Sequence, residues 1–135
     1  MAIKYFAYGS NLNKRQMGTR TPFARSLGSF YLENWRLVFR NVADIEPHEG
    51  SVVAVGMWEI TKQDEDNLDV YEGYPHLYRK EDILGMMTYR MNRTNIAPPS
   101  EVYFNTILEG YRDFGLDEDL LWKALDDSWK RETRT

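Results

Sequence analysis

From Val52 to Ile60 the chain is apolar at nearly every position, the composition of a β-strand buried on both faces. Such a strand has to be central to a sheet, so the rest of the chain is read around it. Ile3 to Tyr8 forms another apolar and aromatic strand. Ala24 to Arg40 is β-like, with Trp35, Leu37 and Phe39 alternating against Arg36, Val38 and Arg40, which leaves one face wet. Tyr78 to Ile83 and Gly85 to Met91 complete the strands. Asn41 to Gly50 carries Asp44, Glu46, Pro47, His48, Glu49 and Gly50 without periodicity and reads as an exposed loop. Asn92 to Pro99 reads as a second loop.

Helices are marked by their starts. Lys14 to Arg20 is a short helical or turn segment ended by Gly18 and Thr21-Pro22. Thr61-Lys62-Gln63-Asp64 has the form of a capping box opening a helix through about Val70. Ser100 and Asp117 are N-caps for two closing amphipathic helices, the first with Tyr103, Ile107, Leu108 and Tyr111, the second with Leu120, Leu121, Ala124 and Leu125. Strands followed by helices predict an α+β domain over residues 1–135, with a small mixed β-barrel-like sheet and short helices.

Composition removes several functional classes. The sequence has no Cys, so disulfides, thiol nucleophiles and thiolate metal sites are excluded together. A net charge of −4 argues against a broad nucleic-acid footprint, and the basic stretches Asn13 to Gln16 and Lys130 to Arg134 read as solvated ends. No apolar run approaches the roughly 20 residues of a membrane span. Met1 to Lys4 leaves no room for a secretory apolar region, so the cytoplasm is the expected compartment. His48 and His76 sit in no ligand motif and read as surface or loop residues; no metal or cofactor is expected.

Two segments carry chemistry. Tyr5-Phe6-Ala7-Tyr8-Gly9-Ser10-Asn11-Leu12 is a strand that ends abruptly in Gly-Ser-Asn. A Gly tolerates positive φ, so the backbone N–H groups of Gly9, Ser10 and Asn11 can turn inward as an anion-binding nest; the alternative is an ordinary turn. Leu68-Asp69-Val70-Tyr71-Glu72-Gly73-Tyr74-Pro75 places a carboxylate among aromatics, before a Gly that ends a helix. Burial there disfavours ionisation and raises the pKa of Glu72 toward neutrality, as a proton-transfer residue requires; the alternative is a surface Glu. Asp69, one turn earlier, reads as a helix-surface residue.

The octamer Tyr5 to Leu12 resembles the N-terminal signature of the γ-glutamylcyclotransferase family. Leu68, Asp69, Glu72, Gly73, Tyr78 and Arg79 resemble its second signature, and Pro99 to Tyr103 with Ile107, Gly110 and Phe114 to Leu116 its C-terminal pattern. Tyr74 to Leu77 looks more like the family's bacterial members than like the animal enzyme, which leaves the specificity loop open. The resemblance implies a cofactor-independent enzyme, a monomer or homodimer, whose partner is a small γ-glutamyl compound and whose product is 5-oxoproline. It implies Glu72 as the catalytic acid/base, and a substrate site made by Tyr5, Phe6, Ala7, Tyr8, Gly9, Ser10, Asn11 and Tyr103. Tyr103 would hydrogen-bond the substrate or Glu72, unless it is a core tyrosine. Arg79 reads as a surface residue, with substrate contact as its alternative. A binding module that holds such a ligand without turnover is the competing function. A phosphate-binding protein is disfavoured because Tyr-Gly-Ser-Asn lacks the Gly-Lys-Ser/Thr ending of a P-loop.

Overall fold

A computed structural model describes residues 2–132, so Met1 and positions 133–135, including the expected solvated end at Thr133 and Arg134, lie outside the described residues. Five strands form one mixed sheet: β1 (Ile3–Ala7), β2 (Arg25–Arg40), β3 (Val42–Ile60), β4 (Tyr78–Ile83) and β5 (Met86–Met91), in the order β2-β3-β1-β5-β4. β1 is central, antiparallel to β3 and parallel to β5, with Tyr5 opposite Trp58 on one side and Met87 on the other. The ladder is open, with β2 and β4 at its edges. This is the mixed α+β architecture expected from the sequence. Val53, Ala54 and Val55 are almost fully buried, in line with the apolar run that marked β3 as central.

The expected loop over Asn41 to Gly50 is instead mostly strand. Only Asn41 turns, in the left-handed region at φ 66°, and β3 begins at Val42. Ala43 and Ile45 face the core, while Asp44 and Glu46 find partners across the hairpin: Arg40 Nε lies 2.8 Å from Asp44 Oδ2, Arg40 Nη2 2.9 Å from Glu46 Oε1, and Arg36 Nη2 2.6 Å from Glu46 Oε2. The acids that read as solvent-facing are neutralised by the neighbouring strand, and only Asn41 and Pro47 to Gly50 are exposed. Only at its end is the expected wet face of β2 covered, where Arg36 is half-buried and Val38 and Arg40 are buried. Arg40 further donates to the Thr94 carbonyl (2.6 Å), and the Met91 N–H donates to Asp44 (2.9 Å), so no buried charge is left unpartnered there.

Four helices surround the sheet: α1 (Lys14–Arg20), α2 (Lys62–Glu72), α3 (Glu101–Phe114) and α4 (Glu118–Lys130), preceded by a 3-10 turn at Ser10–Leu12. Their starts are those the sequence marks. In α2 the Asp64 N–H donates to Thr61 Oγ1 (3.1 Å) and the Thr61 N–H to Asp64 Oδ2 (3.0 Å), a reciprocal box. α2 runs two residues past Val70, to Glu72, and stops where Gly73 adopts φ 65°. α3 lies on the 3-10 turn and α4 on β2, burying Phe104, Ile107, Tyr111 and Leu121 with Leu12 and Met17 in one core. No helix among the described residues is long and apolar enough to cross a membrane.

Candidate active site

β1 delivers Tyr5 and then Tyr8 to the edge of a cavity, and the 3-10 turn that follows curls Gly9, Ser10 and Asn11 around it. The opposite wall comes from β4, β5 and α3, through Tyr78, Thr88, Tyr89 and Tyr103, with Ala43 at the hairpin end and Glu72 at the last turn of α2. Counting its open mouth, the cavity encloses about 270 Å³.

Within it, one carboxylate is nearly out of water. Glu72 is 9% exposed, and burial pushes its carboxyl up from 4.5 to about 7, against the opposing pull of the Arg20 guanidinium and of a hydrogen bond from Asn11. That bond is long, 3.4 Å from Asn11 Nδ2 to Glu72 Oε1. The same Nδ2 donates to the Tyr5 hydroxyl (2.9 Å), Asn11 Oδ1 accepts from Arg20 Nη1 (2.9 Å), and the Asn11 carbonyl accepts from Trp58 Nε1 (3.1 Å). Asn11 is thereby held by four hydrogen bonds through three of its atoms, and only the Glu72 contact is loose.

The tyrosines are fixed just as individually. Tyr78 donates to the Ala43 carbonyl (2.6 Å), the Ala43 N–H donates to the Tyr103 hydroxyl (3.0 Å), and Tyr8 donates to the Tyr89 carbonyl. Tyr89 in turn donates to Asp69 (2.6 Å), which also meets Lys80 at 2.9 Å. Burial raises the Tyr5, Tyr8, Tyr78, Tyr89 and Tyr103 hydroxyls above their ordinary range, so all remain neutral phenols at physiological pH.

Of the residues expected here from sequence, Tyr5, Tyr8, Gly9, Ser10, Asn11, Glu72 and Tyr103 line one cavity. Phe6 and Ala7 do not; both are core residues, with Phe6 edge-to-face on Phe30. Three further expectations are corrected. Gly9 sits at φ −128°, not in the left-handed region, and is required instead by closeness: a Cβ there would lie 2.9 Å from Ala43 Cβ and 3.4 Å from the Tyr103 hydroxyl. Tyr103 bonds Ala43 rather than Glu72. Asp69 is not a bare surface residue but the anchor of Tyr89 and Lys80. Arg79 is exposed and donates to the Met91 carbonyl (2.8 Å), as a surface residue would.

Thr88 and Tyr89 carry no local signal for the cavity, because the face they present depends on β5 pairing with β1. Arg20 and Tyr71 complete the surroundings: the guanidinium stacks 3.6 Å from the Tyr71 ring centre, and the Tyr71 hydroxyl lies 3.1 Å from Ser10 Oγ. The adjacency of Tyr71 to Glu72 in sequence was the available clue. The first N–H groups of the 3-10 turn lie outside its own bonds, which run from Leu12 to the Gly9 carbonyl and from Asn13 to the Ser10 carbonyl, both 3.0 Å. Among the described residues no group of three or more acids or histidines is arranged to hold a metal ion. The site therefore sets a buried carboxylate against a wall of neutral hydroxyls.

The chain is similar to known proteins over most of its length. A family model described as "Gamma-glutamyl cyclotransferase, AIG2-like" matches residues 5–108, a span that contains every cavity residue named above. The mouse (Mus musculus) protein Gamma-glutamylcyclotransferase is 28% identical over 137 residues, covering 85% of this chain and 73% of the mouse protein. A solved structure named Gamma-glutamyl cyclotransferase shares the fold with a TM-score of 0.78 at 24% identity, over 100% of this chain and 90% of its own. A crystal structure of an uncharacterised protein from Homo sapiens is similar, with a TM-score of 0.76 at 24% identity over 99% of this chain and 89% of that one.

Proposed function

Because the chain belongs to the gamma-glutamyl cyclotransferase, AIG2-like family, whose members and relatives indicate γ-glutamyl cyclotransferase-type activity, we propose that it cyclises a γ-glutamyl compound to 5-oxoproline, with Glu72 as the acid/base. The observation that carries this reading is the carboxyl of Glu72 beside a cavity, raised by burial toward neutrality and opposed by only one loose hydrogen bond from Asn11 and the Arg20 charge.

In this mechanism the substrate's α-carboxylate rests on the N–H groups of Gly9, Ser10 and Asn11, and the γ-carbonyl lies within reach of the tyrosine wall. The α-nitrogen enters as an ammonium, which has no lone pair to attack with. Ionised Glu72 removes one proton, the amine attacks the γ-carbonyl carbon, and a five-membered ring closes through a tetrahedral oxyanion. Glu72 then delivers its proton to the departing nitrogen, and the carbon–nitrogen bond to the leaving group breaks. A second proton follows the same route, so the α-nitrogen ends as a lactam N–H and the leaving group as an amine or amino acid in its ammonium form. No water is consumed and no cofactor takes part. Holding amine and carbonyl in near-attack geometry supplies several kcal/mol, since effective molarities of oriented intramolecular reactions are worth about 7–11 kcal/mol at most. Proton transfer through one positioned group adds roughly 100-fold or more. A carboxyl with a midpoint near 7 suits both halves of that task, being a competent base and a competent acid at the same pH.

Release of 5-oxoproline from a panel of γ-glutamyl amino acids, amines and lysine isopeptides tests the proposal, with Glu72→Gln alongside. Turnover that falls at least about 100-fold in the variant supports it. Turnover that survives removes Glu72 from its role, and ligand-induced stabilisation with no 5-oxoproline from any compound would make the protein a binding module instead.

A further inference from the structure

Arg20 is a cation with no acid of its own. Among the described residues no carboxylate lies within ion-pair distance of it; its guanidinium donates to the side-chain oxygens of Asn11 and Gln16 and lies flat on Tyr71. It is half-buried and does not line the cavity, so it sits behind the wall that Asn11 presents to the ligand. Its bond to Asn11 Oδ1 decides which way that amide faces. Turned over, Asn11 would set its NH₂ against the guanidinium and its oxygen against the carboxylate of Glu72, two unfavourable contacts in place of two favourable ones.

We propose that Arg20 is the positioning residue for Glu72: it locks the Asn11 amide with both N–H groups toward Tyr5 and Glu72, and its positive charge favours the ionised carboxylate from behind the cavity wall. The role rests on the reading of Glu72 as acid/base. The groups that face Glu72 from the packed elements are Tyr5 and Tyr8 from β1 and its exit, Tyr78 from β4, Tyr89 from β5 and Tyr103 from α3, all neutral phenols, together with Asn11. On its own helix, Tyr71 is turned to Arg20 and Ser10, and the charge of Asp69 is met by Lys80. Asp44, the other buried acid near the cavity, is paired with Arg40. Arg20 is the one cation among these whose pull reaches Glu72, and it opposes the effect of burial. The flat stack on Tyr71 fixes the fork in direction, so a lysine at this position keeps the charge and loses the lock.

The test compares wild type with Arg20→Met and Arg20→Lys, following the Glu72 carboxyl by ¹³C NMR across pH, with Glu72→Gln assigning the resonance, and the pH profile of kcat/KM for 5-oxoproline release. In Arg20→Met the Glu72 midpoint is expected to rise by about one pH unit, the low end for loss of a neighbouring opposite charge, which lowers kcat/KM near neutrality roughly five-fold and restores it about two pH units higher. In Arg20→Lys the midpoint stays near that of wild type while kcat falls at every pH, because the Asn11 amide is no longer held; KM changes little in both. A midpoint unmoved in Arg20→Met overturns the electrostatic role, and wild-type kcat in Arg20→Lys overturns the lock. The NMR titration needs no substrate, so a displaced midpoint without 5-oxoproline from any compound sustains the Arg20–Glu72 coupling and sinks only the cyclotransferase reading. Arg20→Gln replaces the Met variant if the latter does not fold.

Discussion

Replacing Glu72 with Gln is expected to stabilise the protein, and to do so only above acidic pH. The carboxyl moves from 4.5 in the unfolded chain to about 7 in the fold, so the folded state binds its proton more tightly. The contribution of a group raised in this way is fully present below about 4.5, declines as pH rises, and is gone once pH passes about 7. The gap between 4.5 and about 7, at about 1.36 kcal/mol per pH unit, makes the ionised carboxylate cost the fold about 3 kcal/mol in alkaline solution. Gln has the same shape and no charge to bury. For a chain of this size the difference corresponds to roughly 10 °C in Tm. Thermal unfolding of both proteins, scanned at matched buffers from about pH 4 to pH 8.5, should give coincident Tm values at the acid end and a widening advantage for the variant through neutrality. A gap that is constant with pH, or that favours wild type at alkaline pH, would refute the idea that Glu72 is held in a site hostile to its charge.

Two other substitutions test the frame around the site. Gly110→Ala would bring a Cβ to 2.6 Å from Leu12 Cβ and 2.7 Å from the Leu12 carbonyl carbon, a collision with backbone beside the 3-10 turn, and should cost about 1–3 kcal/mol, read as a lower urea midpoint at unchanged slope; a midpoint equal to wild type would mean that α3 does not press on the turn as described. Asp44→Ala removes one partner of the buried Arg40 pair and should cost about 3–5 kcal/mol in chemical denaturation, whereas a loss under about 1 kcal/mol would show that Glu46 alone satisfies Arg40.

The sequence was most informative where the deciding interaction is local. Thr61 with Asp64, Ser100 and Asp117 mark helix starts because a cap is made within three residues, and all three are caps in the fold. Glu72 was legible from its aromatic neighbours and from Gly73. Asn41 to Gly50 failed for the opposite reason: the charges of Asp44 and Glu46 look like solvent exposure until β2 is laid beside them and Arg40 and Arg36 meet them. Within the octamer, Tyr5 and Tyr8 reach the cavity while Phe6 and Ala7 go to the core, a division that the motif as a string of letters does not contain. Tyr89 and Thr88 enter the site through strand pairing, and Arg20 through the direction in which α1 leaves the turn. Neither is a property of the neighbouring residues.

The peptide of Ala43 gives the cavity a polarity. Its carbonyl takes the proton of Tyr78 and its N–H occupies a lone pair of Tyr103, so two phenols that are chemically alike are left in opposite states. Tyr78 has spent its donor; Tyr103 has kept its own. Tyr5, whose oxygen is likewise taken by Asn11, also retains a proton to give. A ligand entering this space meets hydroxyls that offer hydrogens on the sides of β1 and α3 and an acceptor on the side of β4. An oxygen that gains negative charge is therefore welcome beside Tyr5 and Tyr103 and not beside Tyr78, and it is the main chain of one residue, Ala43 at the end of a hairpin, that sets the last two apart.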